Sequence, residues 1–106
     1  MYAQVVQGGT TPELRDEMDR IVVEMLIPAL EREPGFRGAV NLEDRETGHG
    51  MMLTFWETQE EANRIPTTPE FMQGLGAVIR ISTGERAPIS IWGVNAFVVA
   101  EEPAVA

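Results

Sequence analysis

The sequence predicts an α+β fold in one domain, and three observations lead to that prediction. Strand-like and helix-like apolar periodicities follow one another in the order β-α-β-β-α-β. A length of 106 residues suits a single core, which we place at residues 1–100, with residues 101–106 as a C-terminal tail. The last strand is apolar on both faces. The order is the ferredoxin-like split arrangement, a four-stranded antiparallel sheet with its helices on one face.

The first strand and the first helix are separated by a pair of glycines. Tyr2–Gln7 is rich in β-branched and apolar residues, which predicts the strand. The helix that follows has two possible starts. Thr10 can form a capping box with Glu13. Alternatively, Thr11 is the N-cap and Pro12 takes the first helical position.

An apolar stripe with helical spacing predicts which face of this helix is buried. The stripe consists of Leu14, Met18, Ile21, Val22, Met25, Ala29 and Leu30, with Arg15, Asp16, Asp19, Arg20 and Glu24 mostly outside it. Pro28 removes a backbone donor late in the helix. We therefore expect a kink or an early final turn before Pro34-Gly35.

The middle of the chain predicts a hairpin and a divided second helical region. Residues 40–43 and 51–56 alternate in strand fashion around a turn at Asp44–Gly48. Thr58 and Glu61 form a capping box for a short helix. A second helix starts at Thr68-Pro69, and a polar loop at residues 82–88 follows it.

A long final strand, Ile89–Ala100, is predicted to be hydrophobic on both sides. Ile89, Ile91, Phe97 and Val99 should face one way, and Trp92, Val94, Ala96 and Val98 the other. Helices on one face of the sheet can cover only one of these sets. We therefore expect a homodimer in which a second copy covers the open sheet face.

Composition excludes several classes of partner and site. The net charge is −9 without a basic cluster, so nucleic acid is not expected as a partner. No apolar run is long enough to span a bilayer, and no signal peptide is recognised, so we expect a cytoplasmic protein without membrane contact. The chain has no cysteine and one histidine, so no metal site is expected.

Three short motifs carry a resemblance to a known family. They are Pro34-Gly35-Phe36-Arg37-Gly38, Asp44-Arg45-Glu46-Thr47-Gly48 and Phe55-Trp56-Glu57-Thr58-Gln59-Glu60-Glu61-Ala62. With the element order over Tyr2–Val99, they resemble the dimeric α+β barrel superfamily, and within it the antibiotic-biosynthesis-monooxygenase-like domains. The resemblance implies a dimeric α+β barrel. Proteins of this fold have several different activities, so the fold alone does not predict which one this chain has.

Proteins that the chain resembles include oxygenases that need no cofactor and act on aromatic or quinol substrates, haem-degrading oxygenases, small isomerases and proteins with no known activity. Of these we expect the first, without a cofactor and with a small apolar or aromatic metabolite as the partner. The haem-degrading branch is disfavoured. It uses an asparagine on the first strand, where this chain has Gln4 and Gln7, and a tryptophan and a histidine at positions that fall near Ile65 and Leu75.

Four side chains are the candidates for a catalytic site. Asn95 could hydrogen-bond a phenolic oxygen while Trp92 packs on an aromatic ring, although residues three apart face opposite sides of a regular strand. Trp56 lies in the strand-to-helix motif, where a structural role is the competing reading. His49 is the only histidine and the sole obvious general base, but its place beside the hairpin predicts an exposed turn residue.

Two hypotheses about function remain open. The first is a cofactor-independent monooxygenase that uses these side chains to hold its substrate. The second is a noncatalytic small-molecule-binding or stress-associated domain, which is favoured by the lack of an acid-base or metal constellation.

Overall fold

The predicted sheet is present in a computed structural model that describes residues 1–83 and 89–100. Its strands are β1 (Tyr2–Gly9), β2 (Phe36–Glu43), β3 (His49–Trp56) and β4 (Ser90–Gly93). All neighbouring pairs are antiparallel, in the order β2-β3-β1-β4. The ferredoxin-like α+β fold is thereby confirmed. Most of the predicted loop at 82–88 and the whole tail at 101–106, including Glu101-Glu102, lie outside the described residues.

The helical regions also follow the predicted order. They are a 3-10 turn (Pro12–Leu14), α1 (Arg15–Ile21), a π-helical turn (Val22–Leu26), α2 (Ile27–Leu30), α3 (Gln59–Asn63) and α4 (Pro69–Ile81). Thr58 and Glu61 form the predicted capping box of α3, and Thr68 caps α4. Thr11 is the N-cap of the first helical region, with Pro12 next to it, so the second of the two predicted starts is the observed one.

The first helical region widens where it approaches Pro28. The N–H of Ile27 donates to the carbonyl of Val22, five residues earlier. Proline has no N–H, and its ring crowds the carbonyl four residues before it, so a wider turn relieves that clash. The expected irregularity is therefore a π-helical turn.

α4 packs against this turn at Gly74, which is buried. A Cβ atom at residue 74 would lie 2.8 Å from Leu26 Cδ2 and 3.1 Å from Met25 Cβ. Neither distance leaves room for a larger side chain without movement. Glycine at this position thus sets the spacing between the two long helical regions.

The strand register divides the side chains of the sheet between two faces. Tyr2 lies opposite Trp56, and Gln4 lies opposite Thr54. Because Gln4 bonds to α3 through its side chain, these four side chains face the helices. The alternate positions form the open face: Ala3, Val5, Gln7, Gly38, Val40, Leu42, Met51, Leu53, Phe55, Ser90 and Trp92. No member of that set is Asp, Glu, Lys or Arg.

The final strand is shorter than the predicted Ile89–Ala100. It ends at Gly93, which pairs with Tyr2, the first residue of β1. The N–H of Val94 still donates to the carbonyl of Met1. Past that point β1 has no further residue to pair with, so the predicted long strand is wrong.

The face assignment within this segment is partly corrected as well. Ile91 and Trp92 lie on opposite faces, as predicted. Phe97 does not share the side of Ile91, however. Its ring packs on Phe55 of the open face, with the centroids 5.0 Å apart. Outside a strand the two-residue alternation no longer applies, so parity misassigned Phe97.

Arg15, predicted outside the buried stripe, is 3% exposed. Its Nη1 donates to the carbonyl of Gly48 at 3.2 Å, and its Nη2 donates to Asp19 Oδ1 at 2.9 Å. Glu43 Oε2 lies 3.4 Å from its Nε. Because a buried charge is costly unless it is paired, these contacts hold α1 to the tip of the β2–β3 hairpin.

The two carboxylates beside Arg15 titrate in opposite directions. Partial burial acts to raise the pKa of Asp19, but hydrogen bonds with Glu43 and Arg15 outweigh it, so that pKa lies below its ordinary value. The hydrogen bond with Asp19 is the largest cause that raises the pKa of Glu43. Ionised Asp19 therefore stabilises the fold above its unfolded-state pKa, whereas Glu43 stabilises it only while protonated.

This difference predicts opposite effects for two neutral variants. Asp19→Asn should lower the free energy of unfolding at pH 7 by about 1 to 2 kcal/mol, because it weakens the pairing of a buried guanidinium. Glu43→Gln should leave stability at pH 7 unchanged or raise it. Urea unfolding at pH 7 and at a series of pH values down to about 2 measures both, and the loss in Asp19→Asn should shrink as the pH falls below the unfolded-state pKa of Asp19 and through its lower native pKa. Equal losses in the two variants at pH 7 would contradict the assignment.

A second junction ties two of the sequence motifs together. Gly35 has a φ of +81°, and a Cβ atom there would run into the carboxylate of Glu61. That carboxylate accepts hydrogen bonds from the N–H and hydroxyl of Thr58 in the α3 capping box. The carbonyl of Gly35 accepts from the N–H of Glu57. The turn before β2 and the start of α3 thus require glycine at this position.

Gly35→Ala should therefore destabilise the fold by about 1 to 3 kcal/mol, from backbone strain and displacement of Glu61. Gly8→Ala is the matched control, because no atom lies within 4 Å of a Cβ at that position and its φ is ordinary. Chemical denaturation followed by circular dichroism compares the two. A loss in Gly35→Ala no larger than that in Gly8→Ala would show that the junction is not constrained.

Candidate functional site

Four hydrogen-bonding side chains lie side by side on the helix-covered face, at the end of the sheet where β1 begins and β3 ends. β1 contributes Tyr2 and Gln4, and β3 contributes Thr54 and Trp56. The antiparallel register places Tyr2 directly opposite Trp56 and Gln4 directly opposite Thr54, and such cross-strand neighbours contact each other. We call this set the polar block.

Two hydrogen bonds organise the polar block. Trp56 Nε1 donates to Thr54 Oγ1 at 2.8 Å, and both residues are buried. Gln4 Nε2 donates to the carbonyl of Ala62 at 2.8 Å, which joins β1 to α3. No described group donates to Gln4 Oε1, so this oxygen is an acceptor that the described part of the chain does not use.

Apolar side chains surround the polar block. Leu30, Trp56 and Ala62 form a buried cluster, against which Tyr2, Phe36, Met52, Phe71 and Ile91 pack while remaining partly exposed. The ring of Phe36 meets Trp56 edge to face, with the centroids 5.4 Å apart. Among the described residues no large side chain is completely buried. The layer between sheet and helices is thus apolar, with few polar groups, and is incompletely closed.

A shallow depression at the surface lies beside Trp56. It is lined by Glu33, Pro34, Trp56, Glu61, Arg64 and Pro66. Trp56 belongs both to this lining and to the polar block. The other lining residues are two glutamates, two prolines and an arginine.

The four side chains predicted from the sequence do not come together. Trp56 is 3% exposed and belongs to the polar block. Trp92 is 61% exposed on the open face, where its Nε1 donates to Ser90 Oγ at 2.9 Å. Asn95 is exposed beyond the end of β4. His49 is exposed at the end of β3 opposite to Trp56.

The catalytic roles of these four residues stay predictions. Trp56 belongs to the polar block, whereas Trp92, Asn95 and His49 lie outside it. Asn95 lies beyond the end of β4, where the alternation of a strand no longer applies, so the parity argument against a joint role of Trp92 and Asn95 stays a prediction. His49 is the first residue of β3, close to the predicted turn.

Sequence reasoning missed Tyr2, Gln4 and Thr54. The sequence did contain a signal for two of them, because Tyr2, Gln4 and Val6 share one side of β1 by parity. An amide on the buried side of a central strand needs hydrogen-bond partners. Finding Thr54 also needs the register of β1 against β3. That register depends on the whole sheet and cannot be read from either strand alone.

Charged groups capable of holding a metal do not gather in the described ranges. No set of three or more His, Asp or Glu in residues 1–83 and 89–100 has a suitable arrangement. In the same ranges no helix has the length and apolar character needed to cross a membrane. The polar block itself offers only neutral hydrogen-bonding groups and the phenol of Tyr2.

Comparison with solved structures supports the fold. A cofactor-independent oxygenase from Streptomyces nogalater, SnoaB, superimposes with a TM-score of 0.70 at 17% identity, covering 92% of this chain and 95% of that chain. A candidate antibiotic biosynthesis monooxygenase from Nitrosomonas europaea gives a TM-score of 0.74 at 15% identity, covering 89% of each chain. Rv0793 from Mycobacterium tuberculosis gives 0.70 at 14% identity, covering 92% of this chain and 98% of that chain.

Sequence comparison identifies the family directly. No curated protein matches the sequence. The family model for antibiotic biosynthesis monooxygenase matches residues 1–75, which include β1, β2, β3, α3 and all four residues of the polar block. This chain belongs to the antibiotic biosynthesis monooxygenase family.

Proposed function

We propose that this protein is a cofactor-independent monooxygenase that binds a small aromatic or quinol-like metabolite over the polar block, in the cytoplasm. The observation that carries the proposal is the polar block itself, four hydrogen-bonding side chains in register within an apolar layer. Such a layer would exclude water from an aromatic ring while a few polar groups orient it. Family membership supports the oxygenase class.

The chemistry of the block restricts the substrate. Its members are Tyr2, Gln4, Thr54 and Trp56, and none of them is a carboxylate, histidine or lysine that could serve as a general base. The substrate itself must therefore supply an electron-rich enolate or phenolate, as anthrones and hydroquinones can. The electron-rich anion can then reduce dioxygen directly. For an anthrone, one oxygen atom enters the ring carbon as a carbonyl, and the other leaves as water with the two methylene hydrogens.

A noncatalytic binding function is the second candidate, and a specific observation favours it. The polar block lacks a general base with a pKa near neutrality, and His49 lies at the other end of β3. A site of this kind could bind a metabolite and release it unchanged. The two candidates share one binding region and differ only in the fate of the ligand.

We also propose a homodimer formed through the open face. That face combines apolar side chains with an absence of Asp, Glu, Lys and Arg at its paired positions, in a chain of net charge −9. An identical subunit would meet no like charge there, whereas a charged partner would bury an unpaired group. The second subunit would also remove from water the exposed apolar surface of Val40, Leu42 and Trp92.

Oxygen consumption with anthrone tests the proposed activity. One molecule of dioxygen should be consumed per anthraquinone formed, above the rate without protein. Thr54→Val should lower the rate at least tenfold, because it leaves the buried N–H of Trp56 without its acceptor. Asn95→Ala should have little effect, since that residue is exposed beyond β4.

The same assay separates the alternatives. Loss of activity in Asn95→Ala with full activity in Thr54→Val would move the site to the end of β4. Binding of anthrone without oxygen uptake, with anthrone recovered unchanged, would favour the noncatalytic function.

Native mass spectrometry tests the dimer. The wild-type protein should appear at twice the chain mass at micromolar concentration. Val40→Lys should shift it to the monomer, because it places a charge on the open face. Val23→Lys is the matched control, since Val23 is 57% exposed and lies on the π-helical turn, away from the open face. A wild-type monomer would overturn the proposed interface.

A further inference from the structure

Five charged side chains meet where α1 contacts the β2–β3 hairpin. α1 contributes Arg15, Asp16 and Asp19, the last residue of β2 is Glu43, and the turn contributes Arg45. We call this set the charged cluster. It lies at the end of the sheet opposite to the polar block, and none of its members takes part in the proposed function.

Ion pairs connect all members of the charged cluster. The guanidinium of Arg15 lies 2.9 Å from Asp19 Oδ1 and 3.4 Å from Glu43 Oε2. The guanidinium of Arg45 lies 2.9 Å from Glu43 Oε1 and 3.6 Å from Asp19 Oδ2. Arg45 also pairs with Asp16. Asp19 and Glu43 therefore lie between the same two guanidinium groups.

The charged cluster has one carboxylate more than its two guanidinium groups can neutralise. With every member ionised it has a surplus negative charge, and the binding of one proton makes it neutral. The side chain of Asp19 is 26% exposed and that of Glu43 is 29% exposed, so water screens the surplus charge only in part. A single bound proton is thus the favourable state of the cluster over some range of pH.

The hydrogen bonds indicate which carboxylate binds this proton. Asp19 Oδ1 accepts from Arg15 Nε at 3.1 Å and Nη2 at 2.9 Å, and from Asn41 Nδ2 at 3.3 Å. Glu43 accepts from Arg45 Nη1 at 2.9 Å. Because donors stabilise the ionised form of a carboxyl group, Asp19 keeps its charge and Glu43 takes the proton. A hydrogen bond with Asp19 is also the largest cause that raises the pKa of Glu43.

Other charged groups of the same elements face elsewhere. The carboxylate of Asp44 accepts hydrogen bonds from two N–H groups of its own turn. Arg20 pairs with two glutamates on the exposed side of the helix. His49 lies opposite Gly9 and so faces the open side of the sheet, whereas Glu43 faces the helices.

We propose that Asp19 and Glu43 share one proton and that this proton holds the β2–β3 hairpin to α1. With the proton bound, the carboxyl group of Glu43 donates to Asp19, so a direct hydrogen bond joins the end of β2 to the helix. When the proton leaves, the two carboxylates repel each other. Asp19 stays with the buried guanidinium of Arg15, and the side chain of Glu43 is the one that moves toward solvent.

The hold on the hairpin therefore depends on pH in both directions. The raised pKa of Glu43 means that the hold weakens as the pH rises through that native pKa. The lowered pKa of Asp19 means that the hold also weakens at much lower pH, where Arg15 loses its ionised partner. The contact is firmest between these two values.

Carboxyl ¹³C chemical shifts of the wild-type protein test the shared proton. Glu43 should titrate above its ordinary value of 4.5. Asp19→Asn should move this titration down, because the partner carboxylate is gone while both guanidinium groups stay. Titration of Glu43 at its ordinary value in the wild type, or at the same pH with and without Asp19, would overturn the proposal.

Hydrogen exchange tests the hold on the hairpin. The N–H of Asp44 donates to the carbonyl of His49 at 2.8 Å, next to Glu43. Corrected for the intrinsic exchange rate, its protection should fall at least about threefold between pH 5 and pH 8. Glu43→Gln, whose neutral amide can still donate to Asp19, should abolish this fall. Glu46→Gln, which changes an exposed side chain of the same turn, is the matched control and should keep it.

The exchange measurement does not need Asp19→Asn, so the proposal stays open to refutation if that variant fails to fold. Constant protection in the wild type would overturn it. A fall in protection that is as large in Glu43→Gln as in the wild type would overturn it as well.

Discussion

The antiparallel register between β1 and β3 is the constraint on which the candidate site depends. It places Tyr2 opposite Trp56 and Gln4 opposite Thr54 on the helix-covered face. A slip of one residue would turn every side chain of one strand to the other face and would send Gln4 to the open side. One contact just beyond the paired residues continues this alignment. The N–H of Thr10, after the end of β1, donates to the carbonyl of Gly48, before the start of β3, at 3.0 Å.

The two faces of the sheet differ in the kind of side chain that they present. The helix-covered face contains the polar block, to which we assign ligand binding in the proposal above, and the open face is mainly apolar, without Asp, Glu, Lys or Arg at its paired positions. Phe97 covers only part of the open face by packing on Phe55. Acidic side chains lie on the helices instead. Glu17 and Glu24 of the first helical region, for example, form ion pairs with Arg20. The paired positions of the open face carry none of these charges.

Local patterns in the sequence were sufficient to predict the fold but not the residues of the candidate site. Capping at Thr58 and Thr68 and the alternation of the hairpin strands each report on a few neighbouring residues, and the structure agrees with them. The apolar stripe of the first helix is buried in most of its members, but Leu14 is exposed and Leu26, which the stripe did not include, is buried. Arg15 and the end of β4 depend on distant partners, namely Gly48 and the first residue of β1. The polar block requires the pairing of two strands about fifty positions apart. The four residues chosen from the sequence were selected by chemical type, which does not report which face or end of the sheet a side chain occupies.

The glycine contact between α4 and the π-helical turn gives this chain a way to change the space beside the polar block without altering its hydrogen-bonding groups. Gly74 lies three residues after Phe71, which packs at the edge of the polar block. A larger residue at 74 would push against Leu26 and move the start of α4 relative to the sheet, with Phe71 attached to it. Substitutions at this helix–helix contact would then change the size of ligand that fits, while the hydrogen-bonding groups stayed the same. The shape of the site and its hydrogen-bonding chemistry would thus evolve independently.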